Sequence, residues 1–137
     1  MPTSNPSPHP RPTPPMPPPV AAQARFWNRM ARRYAAARIA DPAGYEATLA
    51  RVAALLHPDQ SVLEIGCGTG TTALRLAGAT RQLLATDVSS GMIAIARDKL
   101  AAQPLPQLRF EVADALAPVA AGTLHDTVLA FNLLHLV

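Results

Sequence analysis

Ser61-Val62-Leu63-Glu64-Ile65 is a short branched apolar run that ends in Gly66-Cys67-Gly68-Thr69-Gly70, and this junction constrains the fold more than anything else in the chain. Glycines in alternate positions tolerate positive φ and leave room for a ligand to approach backbone. A second apolar run, Leu83-Leu84-Ala85-Thr86, ends in Asp87, twenty-one residues beyond Gly66. Strand, glycine turn, helix, strand and terminal carboxylate form the first half of an adenosine-cofactor site on a parallel sheet.

The rest of the pattern agrees. Strands are predicted at 61–65, 82–87, 107–112 and 126–131, with helices at 70–78 and 90–101 between the first three. Continuous Val, Leu and Ile strands separated by helices predict a Rossmann-like α/β fold, a parallel sheet with helices on both faces. The link from Val112 to Thr127 holds Pro118 and Gly122 and has room for one helical turn near 115–119. Upstream, a helix is predicted from Ala21, with Phe26, Met30 and Ala37 on its apolar face and Trp27 and Tyr34 beside it. Asp41-Pro42-Ala43-Gly44 interrupts the helical pattern, and a second helix follows over 45–56. Ten of the fifteen prolines lie in the first twenty residues, which predicts a disordered tail with polyproline II character. The expected organisation is therefore a tail at 1–20, a helical cap at 21–57 and a cofactor-binding domain at 58–137.

Composition bounds the partners. The net charge is +3, and arginines at 25, 29, 32, 33 and 38 supply much of the basicity. No lysine joins them and few aromatics interleave, so a solvated helix face is expected rather than a nucleic-acid surface. Cys67 is the single cysteine and no Cys/His spacing resembles a metal site. No run approaches the ~18–20 apolar residues needed to span a membrane, and the start lacks a secretory pattern. Cytoplasm is the expected compartment.

Glu64 interrupts an apolar strand, so its carboxylate requires a partner, loop amides or a cationic ligand, unless it lies exposed at the strand end. Asp87 suits the two hydroxyls of an adenosine ribose; Ser89 or Ser90 can cap the following helix. An NAD site competes, but its G-x-G-x-x-G/A pattern would put Thr71 at the third glycine position.

These segments resemble the class I S-adenosylmethionine-dependent methyltransferases, of the small-molecule type that includes the ubiquinone/menaquinone C-methyltransferases. LEIGCGTG resembles the glycine-rich first motif, LLATDVSSGMIAIARDKL the second strand and helix, RFEVADA the third strand and TVLAFNLLHLV the fourth. FWNRMARRYAA resembles the helix that caps the cofactor pocket. The resemblance implies S-adenosylmethionine as cofactor and a small-molecule methyl acceptor. Gly66, Gly68 and Gly70 would then hold its methionine and ribose portions, with Glu64 and Cys67 of the same motif beside them, and Asp87 its ribose hydroxyls. Val88 and Met92 would pack near adenine, and Asp114 and Ala115 would approach the adenine amino group. Asn132 and Leu133 would lie beneath the donor, with Tyr34 and Trp27 closing the methionine end. No catalytic base is assigned; His135 sits in an apolar run that favours a structural role. Such enzymes usually continue through further strands, so the chain is expected to be the N-terminal part of one. Its fourth strand would be an open edge able to self-associate, and a cofactor- or partner-binding domain without activity is the alternative.

Overall fold

A computed structural model describes residues 18–115 and 124–131. The expected disordered tail up to residue 17, the helical turn beyond Ala115, and Asn132, Leu133 and His135 lie outside the described residues. The elements are α1 (Pro18–Ala36), α2 (Pro42–Leu55), β1 (Ser61–Ile65), α3 (Thr71–Leu76, continued by a 3-10 turn at Ala77–Ala79), β2 (Gln82–Asp87), α4 (Ser90–Ala102), β3 (Leu108–Val112) and β4 (Thr127–Ala130).

The four strands form one parallel sheet in the order β3-β2-β1-β4. Register pairs Leu63 with Leu84 on one side and Val128 on the other, and Leu84 in turn with Arg109. Because side chains alternate along a strand, Val62, Leu83, Ala85, Leu108 and Phe110 share one face. That face is the core: these residues pack with Leu49 and Leu56, Ala73 and Leu76, and Ile93 and Ala96 of the α2, α3 and α4 segments. The opposite face carries half-buried Leu63, Ile65 and Leu84, with Val128 57% exposed. Helices α2, α3 and α4 thus pack on this one side of the sheet, and α1 packs on α4.

Two helix starts differ from expectation, and both concern proline. Helix α1 begins at Pro18 rather than Ala21, so the end of the proline-rich stretch does join a helix. Helix α2 begins at Pro42, within the segment expected to interrupt the pattern. Proline suits a first turn, whose N–H groups have no intrahelical acceptor. Asp41 completes the second start, its Oδ1 accepting from Gly44 N at 3.0 Å.

The apolar face of α1 also differs. Phe26 and Tyr34 are 47% and 54% exposed, while Ala31 is buried. The helix docks on α4, with Asn28 at the contact. Asn28 Oδ1 accepts from Ser89 Oγ at 2.5 Å, Gly91 N at 2.8 Å and Ser90 Oγ at 3.4 Å. A Cβ on Gly91 would come within 3.2 Å of Asn28 Cα, so the close approach depends on that glycine. Three aromatics project from the same helix in a chain of edge-on contacts, Phe26 to Trp27 and Trp27 to Tyr34, with centroids 5.1 and 6.1 Å apart.

Candidate cofactor cleft

In this sheet the strand order reverses between β1 and β4, and the turn after β1 stands at that switch. Open parallel sheets bind ligands there, beyond the carboxyl ends of their strands. A cleft of about 760 Å³ occupies the position. Its sheet side is made by Glu64, the turn Gly66–Thr69, Asp87 and Val88, residues 113–115, Ala130 and Phe131; Trp27, Tyr34, Tyr45 and Met92 are among the helical side chains that face it. The structure therefore brings together Tyr34, Trp27, Glu64, Gly66, Cys67, Gly68, Asp87, Val88, Met92, Asp114 and Ala115 of the residues singled out from sequence.

Gly70 is the exception. The turn residues Gly66, Gly68 and Gly70 all have positive φ, at 69°, 58° and 82°. A Cβ on Gly68 would meet only Tyr34 Cε1, at 3.6 Å, so this position opens on the cleft. A Cβ on Gly70 would lie 2.5 Å from Phe110 Cζ and 3.0 Å from Ala96 Cβ. Gly70 does not line the cleft; it lets the turn sink into the core.

Asp87 holds the turn in shape. Its Oδ2 accepts from Gly68 N and its Oδ1 from Ser89 N, each at 2.9 Å. Cys67 N donates to Thr86 O at 2.9 Å, so the loop after β1 is tied to the end of β2 twice. Ser89, fully buried, is the N-cap of α4, its Oγ accepting from Met92 N at 3.1 Å. Behind the turn, Lys99 Nζ donates to Thr69 Oγ1 at 3.0 Å and Thr71 Oγ1 at 3.2 Å, and partial burial lowers its pKa. On the far wall, Tyr45 Oη and Thr72 Oγ1 are 2.9 Å apart; outside the cleft, α2 and α3 are also joined by a two-pronged ion pair of Arg75 with Glu46 at 2.8 Å.

Glu64 is buried, only 2% exposed, so it does not lie at an open strand end. Nor do loop amides satisfy it, since Oε2 is buried with no hydrogen-bond partner. Loss of solvation, and then the Asp87 carboxylate, push its pKa up to about 7. Burial likewise raises the Cys67 thiol far above its ordinary range, with Glu64 and Asp87 adding to the effect. Cys67 is held as a neutral thiol, its Sγ 3.6 Å from Gly68 O, and offers no nucleophile at neutral pH. His57 is at the surface, 3.5 Å from Asp59.

Sequence reasoning missed Asn28 and Lys99. Both lie in segments matched as motifs, but their partners are 61 and 30 residues away, so no local signal marks the contacts they make.

A nucleotide-type cleft at the switch point of a parallel sheet, walled by a glycine turn and an acidic strand end, defines the class of protein. The particular family follows from comparison: residues 62–137 match the model described as "Methyltransferase domain", which is more than half of the chain, and the chain belongs to that family. A malonyl-[acyl-carrier protein] O-methyltransferase of Anoxybacillus flavithermus is 40% identical over 63 residues, 44% of this chain and 24% of that protein. A ribosomal RNA small subunit methyltransferase A of Thermotoga neapolitana is 38% identical over 56 residues, 41% of this chain and 22% of that protein. The chain thus spans about a quarter of the length of these curated relatives. Among solved structures, magnesium protoporphyrin IX methyltransferase from Synechocystis PCC 6803 with bound SAM has a TM-score of 0.65 at 24% identity, covering 89% of this chain and 65% of that one. A structure from work on conversion of a disulfide bond into a thioacetal group in echinomycin biosynthesis has a TM-score of 0.58 at 41% identity, with coverage of 66% and 38%. Among the described residues no helix is long and apolar enough to cross a membrane, and no group of three potential ligands could hold a metal ion.

Proposed function

We propose that the cleft binds S-adenosylmethionine and that the protein containing it transfers the methyl group to an acceptor. The observation that carries this reading is the convergence of Gly68, Asp87 and buried Glu64 on one cleft at the switch point. The residues fit the cofactor. Asp87 is at the strand end where a carboxylate can accept ribose hydroxyls, Val88 and Met92 offer an apolar wall to adenine, and Asp114 and Ala115 flank the same end. Gly66 and Gly68 admit the chain close to the backbone, and Tyr34 and Trp27 stand over the mouth.

When bound, the sulfonium supplies an activated methyl group. The protein's share is orientation and exclusion of water. Cys67 stays neutral, and no base among the described residues is assigned. Asn132 belongs to this proposal on the motif alone.

The relatives act on a carrier-protein-linked acid and on ribosomal RNA by their names. A small-molecule acceptor is proposed on the largely apolar cleft mouth, and the RNA-acting relative makes a nucleic-acid acceptor the reading to test beside it. The boundary between cap and cofactor-binding domain at residue 57, and a cytoplasmic setting, are part of the same proposal. Titration calorimetry with S-adenosylmethionine, its demethylated product and NAD checks the cofactor. Binding of the first two and not NAD is expected; preference for NAD overturns the reading.

A further inference from the structure

Helix α1 docks on α4 with one side and keeps its aromatic residues on another. Phe26, 47% exposed, and half-buried Trp27 stand outside the core. With Ala22 and Gln23 they line a second cavity, of about 350 Å³. Gln23 and Trp27 also line the cofactor cleft, so the two spaces adjoin at these side chains. The Phe26 and Trp27 rings meet edge-on at 80°, with centroids 5.1 Å apart. Two rings at right angles form a notch. A flat ring laid in it stacks on one and meets the other edge-on, the two arrangements that aromatic pairs favour.

Charge on the same helix selects the sign of the ligand. Arg25, Arg29, Arg32 and Arg33 are exposed, and α1 contains no acidic residue. The ion pairs of the described residues, His57–Asp59, Arg75–Glu46 and Arg109–Glu111, include none of these arginines. Arg29 and Arg33 follow Phe26 by three and seven residues, which puts them on its face of the helix. Helical side chains lean toward the N-terminus, so both arginines lean toward the phenyl ring.

We infer that the notch binds a small flat aromatic acid, its ring between Phe26 and Trp27 and its anionic group on Arg29 and Arg33. Resting on the cofactor reading above, the notch is the docking place of the methyl acceptor, which reaches the donor past Trp27. A nucleic acid also offers rings and anions. The cavity, however, is near the lower end of the ~300–1,000 Å³ range of small-molecule sites and holds one ring system rather than a run of stacked bases.

Trp27 is the only tryptophan of the chain, so its indole N–H gives a single signal in a proton–nitrogen correlation spectrum. Titrating the full chain with naphthoate should shift that signal. Neutral naphthamide should bind about fivefold more weakly, a difference that closes at high salt. Phe26→Ala should raise the Kd for naphthoate about fivefold. Arg29→Gln combined with Arg33→Gln should remove the preference for the acid. All three residues are exposed, so the variants should keep the fold, which the amide signals of the strands check. Naphthoate should still bind with S-adenosylmethionine present. No shift with naphthoate, equal affinity for naphthamide, or displacement of naphthoate by the donor overturns the inference and leaves the cofactor reading intact. A response to a uridylate oligomer but not to naphthoate also overturns it, as does a Trp27 signal that moves with protein concentration alone, which would assign the notch to a second copy of the chain. Naphthoate binding by a chain that does not bind the donor sustains the notch and overturns the cofactor reading.

Discussion

At the scale of single residues, two carboxylates on one cleft do opposite things. Asp87 has two backbone amides as partners; Glu64 has a buried oxygen with none. Removing Asp87 takes away the proposed ribose acceptor and also releases Gly68 N and Ser89 N. Asp87→Ala should therefore weaken donor binding by about 2–4 kcal/mol. It should also loosen the turn, which hydrogen exchange at Gly68 and Ser89 would reveal. Unchanged donor affinity would remove Asp87 from the site. Glu64 affects stability with the other sign. Its folded pKa, about 7, is above the ordinary carboxyl value of 4.5, so the folded state holds the extra proton. That contribution is complete below about pH 4.5 and is lost as pH rises through about 7. Glu64→Gln should consequently gain on the parent as pH is raised from 5 to 8, on the order of 2–3 kcal/mol without ligand. Denaturant melts at both pH values check it, and a gap that stays constant would show that Glu64 is already ionised in the fold. The presence of an acid on β1 was legible in the sequence; its isolation was not, because burial and the lack of loop donors depend on how the turn folds back.

Between elements, the glycines separate into two jobs that the motif writes identically. Gly68 faces the cleft, whereas Gly70 faces Phe110 and Ala96 across the junction of α3, α4 and β3. Both substitutions to alanine incur positive-φ strain of about 1–3 kcal/mol. Gly70→Ala adds overpacking of about 1–3 kcal/mol, since Phe110 is buried and has little space to retreat. Thermal melts should thus rank Gly70→Ala below Gly68→Ala in stability, while donor titration at a temperature where both are folded should rank Gly68→Ala as the weaker binder. The reverse order in either measurement would contradict the placement of these two residues. Strand and helix positions were legible because period and turn residues are local properties. The mounting of α1 was not. Its large apolar residues suggested a face, but Ala31 is the residue it buries and Asn28 makes the contact, and the aromatics remain at the surface or over the cleft. Asn28→Ala removes the acceptor for Gly91 N and for two serine hydroxyls, one of them buried. It should cost about 1–3 kcal/mol and raise hydrogen exchange along α1 before it does so in β1.

For the whole molecule, the sheet has two unlike edges. On β3, Arg109 and Glu111 point to the same side and pair with each other, and charges along an edge discourage another strand from adding there. On β4, Thr127-Val128-Leu129-Ala130 carries no charge, Val128 is 57% exposed, and β1 is its only partner among the described residues. The start of that strand is well anchored, since Ser61 N donates to Asp126 Oδ2 and Asp126 N to Ser61 O, each at 2.8 Å. An anchored, uncharged, apolar edge is a template for edge-to-edge pairing between copies. The face behind it, with half-buried Leu63, Ile65 and Leu84, adds apolar area to any such contact. The 137-residue chain should therefore associate as concentration rises in sedimentation runs. Val128→Lys, which places a charge on the exposed side of β4 opposite the core face, should return it to monomer with donor affinity unchanged, because Val128 is not in the cleft. A parent that stays monomeric at high concentration would show that β4 is not an adhesive edge. Association that survives Val128→Lys would move the contact elsewhere, and the arginine-lined outer side of α1, which carries no acidic residue, would be the next surface to change.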